Sequence, residues 1–120
     1  MIRHNGEYRL EQRVEMRGGK GAVKIEHLLE PAEHLTSATR LFARLTLDPG
    51  VSIGVHSHDG EEEIFHILSG CGEFDDDGRI VPLVPGDTTV TGGGASHGIA
   101  NTAADRPLVV LATILKSAAK

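Results

Sequence analysis

The sequence predicts an all-β fold, a sandwich or barrel of short strands. Glycine and proline interrupt the chain roughly every eight to twelve residues, the rhythm of strand-and-turn folds. The stretches between them are short and rich in Val, Ile, Leu and Thr, which suit a pleated, half-buried surface. Three turns carry their own signature. Asp48-Pro49-Gly50 and Val84-Pro85-Gly86-Asp87 combine a preset φ with a glycine, and Asp77-Gly78 joins two alternating runs as a hairpin.

Taken in order, residues 1–20 form an N-terminal arm, and its charged stretch 8–16 is read as an additional strand. Strands follow at 22–29, 40–47, 53–58, 63–69, 72–75, 79–84, 88–91, 97–101 and 107–115. Pro31 opens a helical turn or loop over 31–38, because proline fits the first turn of a helix. Residues 116–120 read as a loose tail. The 120 residues suffice for one domain, 1–120, whose core needs no covalent staples.

Composition narrows the function. A net charge of −5 with scattered basic residues argues against nucleic acid, which demands a cationic surface. Aromatics at 3% and the lack of tryptophan argue against base stacking. The single cysteine, Cys71, excludes an internal disulfide. No run resembles a signal peptide or approaches a membrane span, so the expectation is a cytoplasmic protein without a membrane partner. Seven histidines are more than packing needs, and they point to metal or proton chemistry.

His56 and His58 lie two apart on a predicted strand and therefore face the same side. A short turn follows, and the next strand opens with carboxylates, which brings Glu63 alongside in a hairpin. His97 arrives from the separate glycine-rich segment 86–101. Three imidazoles and a carboxylate make a mixed N/O set that suits one divalent ion: Fe, Mn, Ni, Co or Zn. Four protein ligands on an octahedral ion leave two positions open for a further ligand.

These segments resemble the two motifs of the cupin superfamily. Gly50, His56, His58, Glu63 and Gly70 reproduce the first: Gly, five residues, His-x-His, four residues, Glu, six residues, Gly. Gly86, Gly94, His97 and Asn101 reproduce the second, with Gly92 where the family has proline. The spacer 71–85 is short, as in compact prokaryotic-type members. The resemblance implies a double-stranded β-helix, the RmlC-like jelly-roll barrel, holding a metal through His56, His58, Glu63 and His97. Gly92→Pro is expected to be tolerated and to stabilise by about 0.4–1 kcal/mol by restricting the unfolded chain.

Counting six residues back from Gly70 selects Glu63 over Glu62, whose side chain would face the other way. Glu61 and Glu62 read as a solvated turn. By the same parity His66 faces away from Glu63 as a packed or interface residue. His4, His27 and His34 read as surface histidines, and Cys71 as a buried structural thiol. Asp75-Asp76-Asp77-Gly78 lacks the spacing of a calcium loop and reads as a hairpin tip. No GK[ST] follows Gly92-Gly93-Gly94, so it is not a phosphate loop.

The cupin fold hosts many reactions, so fold alone names none. The resemblance implies a small metalloenzyme of the dioxygenase, decarboxylase, isomerase or lyase type, acting on a small oxygen-rich molecule. The alternative is a non-catalytic small-ligand or metal-sensing module. The complete ligand set argues against metal-independent sugar epimerisation. Glu63 is a candidate base as well as a ligand. Phe65 shares its parity, and Phe42 and Arg44 are candidates for the substrate pocket. Arg44 would anchor a carboxylate bidentately, or else lie as a surface charge on an edge strand. Open sheet edges and the pairing habits of small cupins imply a homodimer.

Overall fold

Alternating apolar residues fold the chain into two facing antiparallel sheets. The computed structural model describes residues 1–118. The strands are β1 (Arg9–Val14), β2 (Ala22–Leu29), β3 (Thr39–Leu47), β4 (Ser52–Ser57), β5 (Glu61–Ser69), β6 (Gly72–Asp76), β7 (Arg79–Leu83), β8 (Thr88–Gly92), β9 (Ser96–Ala100) and β10 (Leu108–Lys116). A 3-10 turn spans Met16–Gly18, and a single helical turn, α1, spans Pro31–His34. One sheet has the order β1-β2-β3-β10-β5-β8 and the other β4-β9-β6-β7. This is the jelly-roll architecture expected. The predicted strands all form. The larger boundary differences are at β5, which begins at Glu61 rather than 63, and β1, which stops at Val14 rather than 16. Lys116 closes β10, so the expected tail starts later, and its residues 119–120 lie outside the described residues.

The period of two sets the core. Val23 and Ile25 on β2, Ala43, Leu45 and Leu47 on β3, and Phe65 and Ile67 on β5 point inward with the alternate residues of β10. Across the large sheet, Ile25, Leu45, Val110 and Ile67 lie side by side. The next rung pairs Ala43 with Ala112 and Ala112 with Phe65. The two alanines leave room beside the phenylalanine ring.

Bulges adjust which side chains enter this interior. Between β4 and β9, Ile53 pairs with Ile99 and His56 with His97, so Gly54-Val55 oppose the single residue Gly98. The extra residue lets Ile53 and His56, three apart, both serve the interior. Between β3 and β10, Ile114 faces Leu41 and Leu115 faces Thr39, which leaves Arg40 as the extra residue. Its side chain is thereby aimed at the barrel mouth.

Asn101 is structural. Its side-chain amide donates to the carbonyls of Leu47 and Arg106 at 2.9 and 2.8 Å, and its oxygen accepts from Ala103 N–H. Gly70 has φ 77°, and a Cβ there would sit 2.2 Å from the Pro107 carbonyl oxygen, so only glycine fits.

Two expectations are corrected. His27 is buried, not on the surface, because it shares the inner face of β2 with Val23 and Ile25; its Nε2–H donates to Glu11 at 2.7 Å. Cys71 is exposed rather than buried, since it lies in the turn between β5 and β6. His4 is exposed and His34 half-buried. Among the described residues no helix is long and apolar enough to cross a membrane.

Candidate metal centre

Three strands, β4, β5 and β9, meet at one end of the interior. The register of β4 and β9 sets His56 opposite His97, and inward alternation on β5 brings Glu63 to the same point. Glu61 shares the parity of Glu63 and is half-buried, whereas Glu62 faces the other way and is exposed. His58 closes β4's approach and is as buried as His97. One donor atom from each of His56, His58, Glu63 and His97 lies within 4.8 Å of all the others.

Closer spacings reveal the chemistry. His58 Nε2 and His97 Nε2 are 3.1 Å apart, and they lie 3.1 and 3.0 Å from Glu63 Oε1. His56 Nδ1–H donates to Gly54 O at 2.8 Å. His58 Nδ1–H donates to Glu61 Oε1 at 3.0 Å. These acceptors fix the tautomer, so the neutral His56 and His58 rings carry their lone pairs on Nε2. With its lone pair on Nε2, His58 faces Glu63 Oε1 at 3.1 Å with no proton between them, a contact that a cation relieves, while the buried His97 Nδ1 finds no partner among the described residues. Donors at right angles on an ion with bonds of about 2.1 Å would be about 3.0 Å apart, which fits the spacing found. The residues therefore fit a divalent ion.

Surroundings hold the set in place. Phe65 stacks on the His97 ring at a centroid distance of 4.9 Å and 13° between planes, and Phe74 meets the same ring edge-on. Burial lowers the His56 pKa, with smaller repulsions from His97 and His58, so its neutral form is favoured. Glu61 accepts two bonds from Arg40, both 2.8 Å, besides that from His58. The Arg40 guanidinium first, and the His58 contact less strongly, hold the Glu61 carboxyl down at about 2. Glu61 is therefore part of the site's scaffold and not the solvated turn expected. The position of Arg40 on a bulge gave no period-two signal, which is why sequence reading missed this relay.

Above His56, His58 and Glu63 lies a cavity of about 60 Å³. Its walls are apolar: Ile25, Leu41, Leu45, Ile53, Phe65 and Ile114. Arg13, Met16, Arg17 and Arg40 form the rim. Of the pocket candidates, Phe65 lines the cavity. Phe42 and Arg44 do not, because the inward residues of β3 are odd-numbered. Arg44 instead makes a two-bond ion pair with Glu26, its cross-strand neighbour, at 2.9 and 2.8 Å. His66 faces away from Glu63 as expected and contacts Thr88 Oγ1 at 2.8 Å.

A family model described as the cupin domain matches residues 43–114, which hold both motifs. The chain belongs to the cupin family. A similar curated relative is the oxalate-binding protein of Thermotoga maritima, 47% identical over 102 residues, 85% of this chain and 84% of that one. The crystal structure of a predicted oxalate decarboxylase from Thermotoga maritima has a TM-score of 0.88 at 45% identity, covering 98% of this cupin and 100% of that chain. The fold also matches an RmlC-like cupin from Shewanella frigidimarina, with a TM-score of 0.75 at 16% identity over 97% of this chain and 90% of the other.

Proposed function

We propose that this cupin holds one divalent metal ion at His56, His58, Glu63 and His97 and uses it to bind a small dicarboxylate of the size of oxalate. The carrying observation is the cluster of donor atoms at the floor of a small, arginine-rimmed cavity. The likeness to an oxalate-binding protein supports the choice of ligand. Oxalate is the smallest dicarboxylate, and a cavity of about 60 Å³ admits only a small ligand. When bound, a divalent ion supplies a Lewis-acid centre with positions open to carboxylate oxygens. The chain does the rest: apolar walls exclude water, and the rim supplies positive charge.

Binding without turnover is the reading we favour. Apart from the four candidate ligands, the described residues lining the cavity are arginines and apolar side chains. None offers a proton exchangeable near neutral pH. Glu61 is held ionised by Arg40, and Glu63 is committed to the ion as a ligand. The name of the second relative favours decarboxylation, and the same experiment separates the two. Titration calorimetry with oxalate on metal-loaded and chelator-stripped protein should give binding only when metal is present. Release of CO2 would make the protein an enzyme. No binding in the loaded protein would overturn the reading.

The proposal extends to a homodimer built from the one cupin domain, supported by exposed Leu10 and Val14 on edge strand β1. Light scattering should return twice the 12.8 kDa chain mass. A cytoplasmic setting suits a lone, exposed, free thiol.

A further inference from the structure

The arginines on the cavity rim are not equivalent. Arg13 is paired with Glu11 at 2.7 Å. Arg40 is spent on Glu61 through Nε and Nη2. Arg17 makes no side-chain hydrogen bond or ion pair among the described residues, yet it lines the cavity. A free guanidinium facing a metal cavity is a ready partner for an anion.

The backbone around Arg17 is built to hold it there. Residues 15–21 form a strap across the barrel mouth between β1 and β2. The strap lies so close to β4 that a Cβ on Gly54 would sit 2.0 Å from the Arg17 carbonyl oxygen, and one on Gly19 2.1 Å from that of Ser52. Lys20 and Ser52 exchange two further hydrogen bonds across the contact. Arg17 itself has φ 55°, a left-handed conformation that residues other than glycine adopt only at a cost. Glycine follows at position 18, but position 17 carries arginine. Strain kept at such a place points to a role for the side chain.

Charge completes the argument. A divalent ion with Glu63 leaves +1 at the floor. The Arg13–Glu11 and Arg40–Glu61 pairs are each neutral, and Arg17 adds +1. The cavity then matches a dianion rather than a monoanion.

We propose that Arg17 is the anion-selecting residue of this cupin: its guanidinium takes the outer carboxylate of a dicarboxylate whose inner carboxylate faces the floor formed by His56, His58 and Glu63. The inference rests on the reading of the cavity as a dicarboxylate site. Arg17→Gly and Arg17→Gln provide the test, in manganese-loaded protein, with oxalate and acetate as probes. Arg17→Gly removes the left-handed strain, so its melting temperature should equal or exceed the parent's, and metal content should be unchanged. Oxalate binding should weaken about 10- to 100-fold in both variants, as expected for a lost charge-assisted pair. Acetate binding should change less than about threefold, because a monoanion leaves Arg17 unused. Unchanged oxalate affinity, or equal loss for oxalate and acetate, would overturn the role of Arg17 alone. A parent protein that binds neither probe would overturn the dicarboxylate reading and this inference with it.

Discussion

Glu61→Gln isolates the relay that joins Arg40 to the metal site through His58. The substitution keeps shape but replaces one carboxylate oxygen with an NH2, which cannot accept from Arg40 or from His58 Nδ1–H. A carboxyl shifted from 4.5 to about 2 corresponds to roughly 3 kcal/mol at neutral pH, by about 1.36 kcal/mol per unit. The Arg40 side chain is 49% exposed, so screening trims this to about 1–2 kcal/mol. Because the folded pKa is depressed, this stability is full above about pH 4.5 and is lost as pH falls towards about 2. Metal affinity should also fall about 10- to 100-fold, since the acceptor that fixes His58's tautomer is weakened. Urea unfolding of the stripped proteins at pH 7 and at intervals down to pH 2.5 reads the first effect; manganese or zinc titration reads the second. The parent should lose its advantage over the variant across that acid window. If the two proteins kept a constant stability difference from pH 7 to 2.5 and bound metal alike, the relay would have no energetic standing.

Phe65→Ala should cost about 3–5 kcal/mol in urea unfolding, because the ring is 2% exposed and supports His97. Gly54→Ala should lower stability by about 1–3 kcal/mol, since its Cβ meets the Arg17 carbonyl oxygen at 2.0 Å; oxalate affinity should fall with it as the strap moves. Gly92→Pro reverses the sequence expectation. A Cβ at 92 would lie 2.7 Å from Glu62 Cβ, directly across the β5–β8 pair, so thermal melts should show a lower midpoint rather than a higher one.

Much of this was legible because strand parity is a strict code. His56 and His58, Glu63 over Glu62, and the outward turn of His66 all follow from a period of two. The code fails where the strand is not regular. The bulge at Arg40 leaves no mark in the hydrophobic pattern, so the relay through Glu61 was unseen. Phe42 and Arg44 were assigned to the pocket for their chemistry, against the Leu41-Ala43-Leu45-Leu47 alternation that sets the inward face, and Leu41 and Leu45 line it. The strap was equally hidden, because charged residues between two strands read as an exposed arm. Its placement depends on Gly19 meeting β4, a contact between residues far apart in sequence. His27 misled for a related reason: its partner, Glu11, lies on the strand whose register only pairing with β2 defines.

The central claim is that His56, His58, Glu63 and His97 hold one divalent ion. Elemental analysis of protein reconstituted with Fe, Mn, Ni, Co or Zn tests it most directly, comparing the parent with His56→Ala and Glu63→Gln. The account predicts about one equivalent of metal in the parent and nearly none in either variant, with far-ultraviolet dichroism unchanged. A parent that takes up none of the five metals, or variants that retain the ion at parental stoichiometry and affinity, would contradict it.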